Sequence, residues 1–181
     1  MSERIGGWMQ TVSGKRYWPV DPRAEEVDIG DIAHALGMMC RFGGHTRRFY
    51  SVAEHCVLVS GLVSQKNALC GLLHDATEAY CVDVPRPLKR SLPEYKAAEI
   101  KNWLVIAERF GLPSQMPVEV KHADEAILHV EQAALMPTDD GRGWCVEDTG
   151  HIDTSRVVIR CWSPEVARQN FLNAFTYYHK G

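Results

Sequence analysis

Apolar residues recur at helical spacing along most of the chain. Between Asp28 and Cys40, the residues Ile29, Ile32, Ala33, Leu36 and Met39 fall on one stripe and predict a helix. Ser51-Val52-Ala53-Glu54 carries the S-x-x-E pattern of a capping box, so a second helix starts there and runs to about Val63. Leu69, Leu72, Leu73, Ala76 and Tyr80 predict a third over Asn67–Cys81. Pro85 and Pro87 end it, because the residue before a proline avoids the α region. Pro93–Phe110 predicts a longer helix closed by Gly111, and Pro117–Leu135 another stopped by Pro137. Ser163-Pro164-Glu165 opens the last helix, which runs to about Tyr178, with Ser as the cap and Pro in the first helical position.

The remaining segments lack that period. Residues 1–22 read as irregular, with Met9–Val12 and Arg16–Trp18 flanking Ser13-Gly14 as a small hairpin. Arg41–Tyr50 is polar, contains Gly43-Gly44 and reads as a loop. Pro137–Cys161 is glycine- and acid-rich, and only Val157–Ile159 is strand-like. The expected fold is all-α: one helical domain over residues 1–181, with an N-terminal hairpin and a long loop before the last helix.

Composition narrows the function classes. A chain of 181 residues, 45% apolar and 24% charged, is long enough for its own core. A net charge of −3 argues against binding long nucleic acids. The longest apolar run, Val57–Val63, is broken by Ser60-Gly61 and is far shorter than the roughly 18–20 residues of a membrane span. The opening MSERIGGW lacks the apolar core of a signal peptide. The six cysteines form no C-x-x-C pair and read as small buried side chains in a reducing compartment. These features together lead to the expectation of a cytoplasmic protein with no membrane partner.

The chemistry sits in four separated pieces. His74-Asp75 interrupts an otherwise apolar stretch, GLLHDATEAY, where a buried imidazole and carboxylate are costly unless something satisfies them. A divalent metal would do so, since this ligand pair suits zinc, manganese, iron or cobalt. His55, one turn inside the second helix, and Asp124, in VKHADEAILHVE, are candidate partners, and helical bundles build metal sites from such inward-facing residues. Taken singly, each has an ordinary reading: His55 as a half-buried histidine, Glu78 as a solvated acid, Asp124 as a partner of Lys121. Glu78 lies one turn beyond His74, and Asp83 stands where the helix breaks, so both border the same mouth. Lys89, Arg47, Arg48, Arg86 and Arg90 cluster in sequence around it and would draw in an anion. His45 and Thr46, in FGGHTRRF, are placed to approach the same cleft.

The order His55, His74-Asp75, Asp124 resembles the H…HD…D signature of the HD-domain metal-dependent phosphohydrolases. SVAEHC, LLHDATEAY, VDVPRPLK and KHAD are similar to stretches of the small HD-type 5′-deoxynucleotidases and of the phage-type HD dATP triphosphohydrolases. The resemblance covers roughly residues 28–136, and more loosely the GGWMQT segment. It implies an HD-type helical bundle that hydrolyses deoxynucleotide phosphates. It implies metal ligation by His55, His74, Asp75 and Asp124, catalysis by Glu78 with Asp83, and substrate contacts from Arg41, Phe42 and Lys89, to which the loop adds His45 and Arg48. The ion would be Zn, Co or Mn, with additional Mg for a triphosphate. The leading expectation is a dNTP triphosphohydrolase acting on dATP, in a bacterial or phage-infected cytosol and as a homo-oligomer. The alternatives are a dNMP 5′-nucleotidase and a non-catalytic metal- and nucleotide-binding module.

Overall fold

The computed structural model describes residues 3–137, 149 and 152–179. Helices dominate, and the only sheet among the described residues is a two-stranded hairpin. Helix α1 spans Ile29–Met38 and starts where the Asp28 carboxylate accepts the backbone N–H groups of Gly30 and Asp31. Helix α2, Val52–Leu62, starts where the Ser51 hydroxyl accepts the Glu54 N–H at 3.0 Å. Helix α3 spans Gln65–Leu73, α4 Glu78–Cys81 and α5 Arg86–Lys89. Two long helices follow, α6 (Pro93–Phe110) and α7 (Val118–Leu135), and α8 (Pro164–His179) closes the chain. Gly111 ends α6 at φ 68°, a left-handed conformation that costs glycine nothing.

Helix α2 is the axis of the packing. Ile32, Ala33 and Leu36 of α1, Val52, Ala53 and Cys56 of α2, Leu72 and Leu73 of α3, and Ala167 and Phe171 of α8 share one buried cluster. A second cluster joins Val59 and Cys70 to Val120, Ala123 and Ile127, which seats α7 against α2 and α3. Burying each such Leu, Ile or Phe is worth roughly 1.5–3 kcal/mol, which fixes how the polar residues between these stripes are presented. No helix of the described residues is long and apolar enough to cross a membrane. The five cysteines among the described residues are free thiols.

The N-terminal hairpin pairs β1 (Met9–Gln10) with β2 (Arg16–Tyr17), Met9 opposite Tyr17. Gly14 turns it at φ 82°, and the Asp31 carboxylate accepts the Ser13 N–H and hydroxyl at 2.9 and 2.8 Å. Tyr17 is fully buried, stacks on Tyr80 with ring centroids 3.7 Å apart, and donates its hydroxyl to Asn102 Oδ1 at 2.6 Å.

Several expectations need correction. The stripe over Asn67–Cys81 is not one helix: regular α-helix stops at Leu73 and resumes at Glu78. Between them Ala76, Glu78, Ala79 and Tyr80 donate to carbonyls three residues back, the tighter 3₁₀ pattern. The prolines do not simply end the helical run, because Pro85 caps the extra turn α5. The capping box is half formed: Ser51 plays its part, while the Glu54 carboxylate turns to another segment. That segment contains Val157–Ile159, which forms no strand; its neighbours' amides are spent on Glu54 and not on a ladder. Within the loop at Arg41–Tyr50, residues Phe42–Gly44 form a 3₁₀ turn. Most of the expected long loop after Pro137 lies outside the described residues.

Candidate metal centre

Three elements bring the predicted ligands together. His55 comes from the first turn of α2, His74 and Asp75 from the tightened turn after α3, and Asp124 from the second turn of α7. His55, His74 and Asp75 each present a ligand atom within 4.8 Å of the others, a group able to hold a metal ion. The two Nε2 atoms are 3.2 Å apart. Asp75 Oδ2 lies 3.6 Å from His55 Nε2 and 3.3 Å from His74 Nε2. Asp124 Oδ1 borders the trio, 3.2 Å from His55 Nε2 and 3.8 Å from His74 Nε2.

The backbone and a neighbouring acid fix both rings. His74 Nδ1 faces the Gly71 carbonyl at 2.7 Å, and a carbonyl only accepts, so Nδ1 carries the proton. His55 Nδ1 lies 2.7 Å from Glu131 Oε1, which also accepts the Tyr50 hydroxyl at 2.8 Å. Glu131 Oε2 accepts from Arg41 at 3.3 Å, so this carboxylate is an acceptor throughout. With both rings neutral, each therefore turns an Nε2 lone pair toward one point, flanked by two carboxylates. Two acceptor nitrogens at 3.2 Å beside two acids form a site that a cation, a proton or a metal ion, would satisfy. Imidazole nitrogens with carboxylate oxygens are a donor set suited to a first-row divalent ion.

The protonation preferences agree with that demand. Burial opposes ionisation of Asp75, but the adjacent His74 ring outweighs it and holds the carboxyl well below the usual range. Asp124 is likewise depressed: its contacts with the His55 and His74 rings, where positive charge would be shared, overcome its burial. Burial also works against a charged His74, yet the Asp75 carboxylate leads the groups that push its affinity for a second proton well up. In each case the cluster gains by hosting positive charge.

Around the cluster lie the other predicted residues. Glu78 is buried and its Oε2 has no hydrogen-bond partner. Burial, then the charges of Asp75 and Asp83, push its carboxyl well above the ordinary value. Asp83 is half-buried and also raised, by burial first, and it faces Arg41, Asp75 and Lys89 electrostatically. Arg41 bonds Asp75 at 3.3 Å, sits over the Phe42 ring at 5.0 Å, and keeps a buried Nε without a partner. Lys89 pairs with Glu99 at 2.7 Å and lies within electrostatic reach of Glu78 and Asp75.

For two predicted contacts the structure shows no bond to the centre. His45 is exposed, and Arg48 donates to the Cys161 sulfur at 3.2 Å instead of facing the ligands. Arg86, read as an anion contact, instead pairs with Asp124 at 3.0 Å and with Glu125. The sequence reading also missed Glu131. Its signal was an acid on the buried α7 stripe of Val120, Ala123, Ile127 and Leu135, where an unpaired carboxylate would be costly.

No family model matches the chain. Among its relatives, the uncharacterized protein YfdR of Escherichia coli K12 is 48% identical over 139 residues, covering 77% of this chain and 78% of the relative. An uncharacterized protein of Rhodobacter capsulatus is 35% identical over 129 residues, 66% of each chain.

Proposed function

The chain belongs to the same family as YfdR, and we propose that it is an HD-type, metal-dependent phosphohydrolase of deoxynucleotides. One observation carries the reading. At the converging imidazoles and carboxylates, a buried acceptor (Glu78 Oε2) and a buried donor (Arg41 Nε) both lack partners. A water proton and a phosphoryl oxygen would satisfy them respectively. A site built only to bind a cation has no use for either.

His55, His74, Asp75 and Asp124 would hold the ion. A divalent cation held there would supply Lewis acidity toward a phosphoryl oxygen and lower the pKa of water so that a hydroxide nucleophile is available near neutral pH. The chain's own groups do the rest. Glu78 orients the attacking water and takes its proton, a role whose typical worth is about 10²–10⁴-fold. Its raised proton affinity suits a base that must keep the proton through the step. Asp83 borders the same mouth and reinforces that affinity by its charge. Arg41 and Lys89 bring positive charge to the phosphoryl oxygens, and Phe42 packs beside the guanidinium at the position for sugar or base. The leading substrate is a deoxynucleoside triphosphate, dATP first, split at the α-phosphorus to nucleoside and triphosphate.

A product assay tests this. The protein is incubated with Co²⁺, Mn²⁺ or Mg²⁺ and each dNTP and dNMP, and products are separated by chromatography. Nucleoside plus triphosphate is the expected result. Nucleoside plus phosphate from monophosphates alone would make it a 5′-nucleotidase using the same residues. No turnover with any metal would overturn the enzyme reading and leave a non-catalytic binding module.

A further inference from the structure

Glu131 is fully buried on α7, seven positions after Asp124 and so two turns along the same face. It has no exposed surface. Its carboxylate has three partners: His55 Nδ1 at 2.7 Å and the Tyr50 hydroxyl at 2.8 Å on Oε1, and Arg41 at 3.3 Å on Oε2. Arg41 in turn holds Asp75 at 3.3 Å with its other terminal nitrogen. One carboxylate thus touches a ligand directly from behind and reaches a second through an arginine.

We propose that Glu131 is the positioning residue of the centre: it locks His55 in the tautomer that leaves Nε2 free to ligate, and it anchors Arg41 against Asp75. The inference rests on the reading of this site as a metal centre, and not on which nucleotide is hydrolysed. The three partners differ in what they tolerate. A tyrosine hydroxyl can switch from donor to acceptor, and a neutral imidazole can move its proton to the other nitrogen. A guanidinium can only donate. Arg41 therefore decides which way any substitute at position 131 must face.

Glu131→Gln exposes this. The amide oxygen is drawn to Arg41, which accepts no hydrogen bond, and the amide NH₂ is left facing His55 and Tyr50. His55 then accepts at Nδ1, carries its proton on Nε2, and loses the lone pair aimed at the ion. Groups behind a ligating histidine typically affect metal affinity by about 10–100-fold, and a loss of that size is expected for this nearly isosteric change. Without Arg41 the amide is free to turn its oxygen to His55. In an Arg41→Met background the same change should therefore cost less than about threefold.

The experiment combines Zn²⁺ titration calorimetry with ¹⁵N NMR of the histidine rings. Wild-type protein should show a protonated His55 Nδ1 both before and after Zn²⁺, and Glu131→Gln should show an unprotonated one with weakened Zn²⁺ binding. An unprotonated Nδ1 in the wild type would overturn the proposal, and that measurement needs no variant to fold. Glu131→Gln binding Zn²⁺ as tightly as wild type, or an equal loss with and without Arg41, would also overturn it. Failure of the wild type to bind Zn²⁺, Co²⁺ or Mn²⁺ at all would instead overturn the metal-centre reading, while the metal-free ring spectrum still decides the His55 tautomer.

Discussion

The Glu54 carboxylate accepts the backbone N–H of Trp162 at 2.7 Å across 108 positions of sequence. It also accepts the N–H groups of Arg160 and Cys161, at 2.7 and 3.0 Å. The residue is fully buried and adjoins the candidate ligand His55, so the start of α2 is tied to the segment that leads into α8. Glu54→Ala strands three amides and should cost about 3 kcal/mol or more, since each unsatisfied buried group costs about 1–3. Urea unfolding measures this; a loss below about 1 kcal/mol would show that water replaces the carboxylate.

Asp75 and Glu78 are separable by their roles. Asp75→Ala removes a ligand, and metal and activity should fall together. Glu78→Gln should keep the metal and lose turnover by about a hundredfold or more, the lower range for a general base. Metal content by elemental analysis, read beside the product assay, distinguishes the two. Activity of Glu78→Gln within about tenfold of wild type would remove Glu78 from the base role.

Stability should fall in acid through Glu119. This α7 side chain accepts the Ser64 N–H and hydroxyl, each at 2.7 Å, and the Asn67 amide, tying α7 to the start of α3. The Ser64 hydroxyl, then Asn67 and the Ser64 amide, hold its carboxyl below the ordinary 4.5. A carboxyl depressed in the folded state binds fewer protons than in the unfolded one. Its contribution is complete above the unfolded value and fades as pH falls through the folded one. Glu119→Gln should cost about 1 kcal/mol near neutrality, the usual worth of a cap, and less at acid pH. Urea midpoints of the two proteins should therefore converge below pH 4.5; a constant gap would sink the assignment.

Gly37 marks a close approach of α1 to α8. A Cβ there would sit 2.9 Å from the Pro164 carbonyl oxygen and 3.3 Å from Arg168 Cβ. Alanine gains about 1 kcal/mol of helix propensity, but pushing two helices apart costs about 1–3. Gly37→Ala should lower the melting temperature, and an increase would mean that α8 shifts at little cost.

Much of the fold is legible because its signals are local. The cap at Ser51 and the glycine after α6 act within a few residues, and α2 and α6 stand where these signals put them. What was missed depends on partners far away. Glu54 matched a local capping pattern, but the stronger bonds come from residues 160–162. The stripe from Leu69 to Tyr80 concealed the change of backbone register, since spacings of three and four are both apolar there. The four candidate ligands were visible as residue types out of place on apolar helices, and the structure brings His55, His74 and Asp75 into one group with Asp124 beside it. Glu131 is as much out of place as they are, yet its partners Tyr50 and Arg41 lie in a loop that carries no periodic signal.

The tightened turn between His74 and Glu78 also bears on what the lineage can tolerate. With three residues per turn, Asp75 and Glu78 stand on one line along the axis, whereas regular α-helix would rotate them apart by about 60°. The separation of ligand and acid is thus set by counting residues, like teeth on a gear. An insertion or deletion here would swing Glu78 to a different bearing even if every side chain were kept. This stretch should drift in composition before it changes in length.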